Sequence, residues 1–409
     1  MSMIFPYVEL SVVLLLSFMM VFQFFFVENL LSFGLFFDWL SWSMLLLTLF
    51  LGSFLNITFG KNIKKLVLNM ISSVVIIFFF LTDSAFLFFL FFELSLLPLF
   101  LFVVFWGKQA ERLKAAYFLF MFTVVSSAPL FMFVIFFYLH DSLSLFLLKE
   151  VKSFLGWVSI FAFLVKIPLF FFHSWLPKAH VEAPLEGSMI LAGIMLKVGV
   201  YGFLRFFLFL EKSAFFQNLI FSIAFSGACM SCLVAMSSDD MKMSVAFSSV
   251  SHMNFMFASL LSMKFVAFGA SIVVMLCHGL SSPLLFFGVT KLYNMTHSRS
   301  LLVSKGVCSK SPFMALLMFL AWSANISPPP FFSFIGELMM IFSLVSFLAW
   351  SIVLVLIFFF VNSFFSLVIY GVTTHSSKKL VFKHSSYDFL FSLFSLLVLV
   401  LLLFFFFSV

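Results

Sequence analysis

Apolar runs of about 20 residues follow one another along the whole 409-residue chain. Each is long enough to cross the roughly 30 Å hydrocarbon core of a bilayer as a helix. That succession leaves no room for a soluble domain. Only 9% of the residues are charged and 64% are hydrophobic, against roughly 25% charged in soluble domains. The chain therefore reads as a polytopic, all-α membrane protein. Its net charge of +7 does not point to nucleic acid, because the basic residues fall in short loops. The first apolar run has no basic n-region and no small-residue cleavage site, so it reads as a span and not a signal peptide. The 72 phenylalanines are what a T-rich genome, such as an organelle's, would encode.

Periodicity and run length predict about 13 spans: 6–27, 37–58, 66–82, 84–106, 113–138, 154–173, 187–209, 216–236, 241–262, 265–290, 311–344, 350–371 and 388–408. The loops test this count. Fifteen lysines and arginines fall on the side that holds the N-terminus, and five fall on the other. The remaining two, Lys166 and Lys197, lie inside spans. The positive-inside rule then puts the N-terminus on the cytoplasmic or matrix side and the C-terminus across the membrane.

Two spans carry breaks. Pro168 interrupts the sixth, and Pro328-Pro329-Pro330 interrupts the unusually long eleventh. Proline removes a backbone donor and clashes with the preceding turn. Three in a row cannot sit in a continuous helix, so half-helices are expected at 311–327 and 331–344. The two breaks are five spans apart, so the broken helices run in opposite directions. That is the pattern of two inverted-topology repeats of five helices, each with one broken helix. The organisation expected is N-terminal spans at 1–60, a first repeat at 61–210, a second at 211–371, and a final loop and span at 372–409.

Ionisable residues inside the spans are the candidate site. An ionised side chain at the bilayer centre costs about 2.5–3.5 kcal/mol on insertion scales, so such residues mark ion or proton paths. They are Glu93, Lys166, Lys197 and Glu337, with His173, His252 and His278 in or near spans. Each also has a plainer reading. Glu93 and Lys166 could be a static ion pair, and a histidine could be a hydrogen-bonded core residue. The sharper reading is a proton wire in the order Glu93, Lys166, Lys197, Glu337, bridged by histidine and water. The histidines lack H-x-x-x-H spacing with a third ligand, which disfavours a metal site. Cys229 and Cys232 form a C-x-x-C inside an apolar run without a second pair, which favours inert thiols over a redox site. No G-x-G-x-x-G follows a strand and no G-x-x-x-x-G-K-[ST] occurs, so no nucleotide site is visible.

The segments FFELSLLPLF, WGKQAERLKAAYFLF, VKIPLFFFHSWLPKAHVEAP, LKVGVYGFLR, DDMKMSVAFSSVSHM, HGLSSPLLF, THSRSLL and PPPFFSFIGEL resemble the antiporter-like subunits of respiratory complex I and of Mrp-type cation/proton antiporters. The likeness covers about residues 90–340 in the same order. Two mitochondrial branches of that family usually carry a lysine at position 337 and a third carries a glutamate, which the chain resembles more closely. It also lacks the long lateral extension of one lysine-bearing branch. The resemblance implies that Glu93 partners the broken-helix lysine Lys166, that Lys197 is the central lysine, and that Glu337 is the terminal acid. It implies matching histidines at His252 and His278.

By the same resemblance the chain is expected to be a redox-inert, proton-translocating subunit of complex I in the mitochondrial inner membrane. Flavin and iron–sulfur clusters would belong to partner subunits, as would NADH oxidation and ubiquinone reduction. Partners would be other membrane subunits, with antiporter-like chains on either side, accessory subunits, and lipids such as cardiolipin. Two alternatives stand beside it: a subunit of an Mrp-type secondary antiporter, and a purely structural membrane subunit. The chain departs from the family in appearing one N-terminal span short, and in Glu186, which the resemblance leaves without a role.

Overall fold

The computed structural model describes residues 38–59, 62–107, 109–138, 154–207 and 214–375, with position 398. The spans expected at 6–27 and 388–408 lie outside the described residues, as does most of the segment 372–409. Among the described residues the secondary structure is helical apart from turns and isolated bridge residues, among them the β-bridge between Asp240 and Ser300. Eight of these helices are long and apolar enough to cross a membrane.

The elements in chain order are α1 (Trp39–Phe59), α2 (Ile63–Leu81), α3 (Ala85–Leu94), α4 (Leu96–Trp106), α5 (Arg112–Tyr138), α6 (Phe154–Ser159), α7 (Phe161–Lys166) and α8 (Trp175–Glu182). Then come α9 (Leu185–Ile190), a π-helical turn at Leu191–Met195, and α10 (Leu196–Phe206), which together make one 22-residue span. They are followed by α11 (Ala214–Ser237), α12 (Met241–Leu260), α13 (Phe265–Thr296), α14 (Val307–Lys310), α15 (Pro312–Ile326), α16 (Ser333–Phe347) and α17 (Ser351–Thr374).

The α9–α10 span is wholly buried, and 83% of the α13 window is, whereas only 28% of α2 and 33% of α17 are. The first two are therefore interior staves and the last two form the rim. Serine-rich α12 is also interior. It buries its hydroxyls by turning each back on its own helix, as when Ser248 donates to the Val245 carbonyl at 2.8 Å and Ser259 to that of Met256 at 2.6 Å. A hydroxyl satisfied locally can be buried without a partner helix.

Both proline sites break their helices. α7 stops at Lys166, and residues 167–174 form turns before α8. The carbonyls freed by the break find side chains: Trp175 Nε1 donates to Val165 O at 3.0 Å, and Asn254 Nδ2 to Pro168 O at 3.1 Å. Irregular backbone at membrane depth survives only when it is satisfied by protein in this way. At the second break α15 ends on Ser327, which adopts the left-handed conformation (φ 62°) as helix cap, and α16 starts six residues later at Ser333.

One expectation needs correction. The sixth span does not give way to a loop after 173, because residues 175–182 form α8, with Trp175, Leu176 and His180 buried. The span expected over 84–106 is present as Ala85–Trp106, with a kink at Ser95, where α3 gives way to α4 three residues before Pro98. Pro98 has no N–H to bond back into the preceding turn, which accounts for the kink.

Candidate functional site

The expected residues do not form one continuous file. They fall into one connected group, one separate pair of neighbours, and one outlier.

The connected group centres on Lys197, which is fully buried. It lies just past the π-helical turn, a geometry that loosens the regular backbone ladder and often marks functional positions. Its ammonium donates to the Ala192 carbonyl at 2.6 Å and meets His278 Nδ1 at 2.9 Å. Ser282 donates to the His278 carbonyl at 2.7 Å. The His278 ring lies 5.9 Å from that of His252, whose Nε2 is 3.5 Å from the Asn362 amide. Lys197, His252 and His278 all sit near the middle of their helices.

His252 and His278 also line a small cavity of mixed character, with Ser281, Asn325, Ser333 and Glu337 among its polar residues and Val274 and Ala324 among its apolar ones. It offers about 20 Å³ to the centres of water molecules, and one water needs roughly 10–15 Å³. Ser327, another lining residue, donates to Glu337 Oε1 at 2.7 Å. The left-handed turn at Ser327 thus caps α15 and aims a hydroxyl at the acid on α16. His278 Nε2 and the Ser333 hydroxyl, both buried, have no protein partner. The cavity therefore lies between polar groups with hydrogen-bonding capacity to spare.

Lys166 is also buried, but no hydrogen bond or ion pair joins it to Glu93. Its ammonium donates to the Phe92 carbonyl at 3.0 Å and lies 3.2 Å from the centroid of the Phe92 ring. Glu93, half-buried on the next residue, has a buried Oε1 without a partner. The lysine, held on Phe92, and the acid, on the residue after it, thus occupy one neighbourhood, unlatched. His173 stands apart: it is stacked on Phe170 at 4.9 Å and edge-on to Phe247 at 6.0 Å.

Several residues of the site escape a reading of the sequence. His180 is completely buried and stacks on Phe286 at 4.4 Å, with both ring nitrogens unpartnered. Lys178 and Glu182 on either side of it give the segment the look of a loop. Asn254, Ser327 and Asn362 are neutral and carry no charge signal. Only their position on spans could have flagged them. Below His180, the end of α8 is held by cations: Lys242 donates to Ala183 O and Arg299 to Val181 O, each at 2.9 Å. Among the described residues no group of three or more His, Cys, Asp or Glu could hold a metal ion.

Comparison with known proteins was made against this geometry. A family model described as "NADH:quinone oxidoreductase/Mrp antiporter, TM" matches residues 82–366. The chain is 35% identical over 353 residues to NADH-ubiquinone oxidoreductase chain 4 of Ceratitis capitata, covering 83% of this chain and 79% of that one. It is 35% identical over 349 residues to the chain 4 protein of Mytilus edulis (83% and 80%) and 32% over 355 residues to that of Apis mellifera ligustica (85% and 79%). In fold it matches the structure of respiratory complex I from Thermus thermophilus with bound NADH. The TM-score is 0.81 at 24% identity, over 90% of this chain and 81% of that one.

Proposed function

We propose a function from one premise: the chain belongs to the family of antiporter-like membrane subunits of NADH:quinone oxidoreductases and Mrp antiporters. It is a membrane subunit of respiratory complex I. Our reading is that it moves protons across the mitochondrial inner membrane without redox chemistry of its own. The energy would come from NADH oxidation and ubiquinone reduction at the flavin and iron–sulfur centres of partner subunits. Other antiporter-like chains would flank it, with accessory subunits and lipids such as cardiolipin around them. Thirteen spans in two inverted repeats, with the N-terminus in the matrix, remain the architecture that best accommodates the paired breaks at 167–174 and 327–332.

One observation carries the reading: Lys197 is hydrogen-bonded to His278 at 2.9 Å, and His278 lines the same cavity as Glu337. When Lys197 is an ammonium, His278 Nδ1 accepts and Nε2 holds the ring proton. Transfer of a proton from Lys197 to Nδ1 frees the one on Nε2. A water in the cavity could then pass it to Glu337. Lys166 and Glu93 would form a second station, with the positive charge shared between the Phe92 carbonyl and the acid beyond it. An acid and a lysine that are close but unlatched suit a switch better than a permanent ion pair does.

Arginine provides the test, because it keeps the charge but does not release its proton near neutral pH. Lys166→Arg and Lys197→Arg, each in the assembled complex, should cut proton translocation by about a hundredfold, the low end of what a positioned proton-transfer group contributes. NADH:quinone turnover should fall with it where coupling is tight. Glu93→Gln should also fail, and Glu93→Asp should keep part of the activity. Full pumping by both arginine variants would show that the lysines are structural.

A further inference from the structure

The site leaves two ion pairs unexplained, and one of them contains Glu186. Its carboxylate accepts from Lys65 Nζ at 2.8 Å, with the two side chains only 13% and 15% exposed. Glu186 sits in the first turn of α9, where the helix dipole favours an acid, whereas Lys65 sits in the first turn of α2, where it disfavours a cation. At the other end of the same 22-residue span, Arg205 in the last turn of α10 is paired with Asp38, the residue before α1. The Arg205 guanidinium also lies 4.9 Å from the Tyr201 ring centroid. α1 and α2 are themselves stitched together, Asn69 donating to the Gly52 carbonyl at 3.1 Å and to Asn56 Oδ1 at 2.7 Å. One helical hairpin is thus tied to both ends of the span that carries Lys197.

Between the ties α1 seats two leucines on glycines. A Cβ placed on Gly193 would lie 2.4 Å from Leu51 Cδ1, and one on Gly279 would lie 2.2 Å from Leu47 Cδ1. Gly193 follows Ala192, whose carbonyl accepts from Lys197, and Gly279 follows His278. Each of the two groups that hold the ammonium therefore adjoins a glycine filled by an α1 side chain. The matched family region begins at residue 82, so the whole hairpin lies outside it.

We infer that the α1–α2 hairpin is a positioning clamp on the proton carrier. Leu47 and Leu51 set the spacing between the π-helical turn and α13, and with it the Lys197–His278 contact. The Asp38–Arg205 and Lys65–Glu186 pairs fix the height at which the leucines meet their glycines. The π-helical turn is the compliant part of the span, so side chains packed against it decide where Lys197 points. This inference rests on reading Lys197 as a proton carrier.

The test uses the assembled complex carrying Leu51→Ala, Lys65→Gln, Glu186→Gln, or the exchanged pair Lys65→Glu with Glu186→Lys. Two quantities are measured: protons moved per electron, and the Lys197 Nζ to His278 Nδ1 separation in a cryo-EM map. The single variants should open that contact beyond hydrogen-bonding distance and lower the proton ratio about tenfold, since an ångström of misplacement can cost up to about a hundredfold. The exchanged pair should restore both. If Leu51→Ala and Glu186→Gln keep the contact at 2.9 Å, the clamp is wrong. It is equally wrong if the singles lose the contact and the exchange does not recover it. Lys197→Arg separates the two ideas: normal pumping there removes the carrier reading, while the measured separation still judges the clamp.

Discussion

At the scale of single residues, the site works through neutral groups as much as charged ones. Ser327 illustrates this, since its hydroxyl is the protein's hydrogen bond to the buried acid Glu337. A hydrogen bond of this kind contributes about 0.5–1.5 kcal/mol, so Ser327→Ala should lower proton translocation several-fold, and Ser327→Asn, which tolerates the left-handed backbone and still donates, should retain most of it. Pumping by reconstituted complex measures both. Asp83, in the turn between α2 and α3, offers a pH test. Burial pushes its carboxyl up from 3.8, with Arg205 opposing. The folded chain therefore binds that proton more tightly than the unfolded one. Its stabilising contribution is complete below the unfolded value and is lost as pH rises through the folded one. Asp83→Asn should flatten this acidic-side slope in thermal inactivation of the complex. The charged residues of the site were legible in the sequence because a charge in a span is conspicuous. Ser327, Asn254 and Asn362 were not, because a neutral polar residue in a serine-rich helix looks like any other.

At the scale of elements, the two breaks were readable from proline, but what stabilises them was not. The turns after α7 depend on Asn254 and Trp175 for their carbonyls, and those contacts exist only once α8 and α12 have packed. The turns also depend on Gly227 of α11, where an added Cβ would lie 2.4 Å from Phe170 Cβ. Gly227→Val should push the broken segment off α11 at a cost of about 1–3 kcal/mol, the usual range for overpacking. Native gels should show less assembled complex, and the remainder should pump poorly. α8 itself is hard to read because Lys178, His180 and Glu182 break its apolar pattern. Two of these, His180 and Glu182, turn out to be buried.

At the scale of the whole molecule, the run lengths and the loop charges expose the class of fold, since a bilayer dictates both. They do not expose how helices distant in sequence meet, and Glu186 is the case in point. Its partner Lys65 lies 121 residues away, and nothing local to either announces the other. The handedness of insertion can be tested directly. On the thirteen-span reading, a tag after Val409 should be cut by protease added from the intermembrane side. Cleavage only from the matrix side would require a different number of spans.

The mid-helix placement of Lys197, His252 and His278 has an electrical consequence. A proton passed among groups at one depth moves along the plane of the membrane and crosses almost none of the transmembrane field. Carrying a full charge across that field costs about 2.3 kcal/mol per 100 mV, and this work must then fall on the steps that bring the proton in from one surface and deliver it to the other. An imposed voltage should therefore slow entry and exit while leaving the hand-over between Lys197 and His278 nearly untouched. The buried axis would behave as a short conductor set edge-on between two resistors.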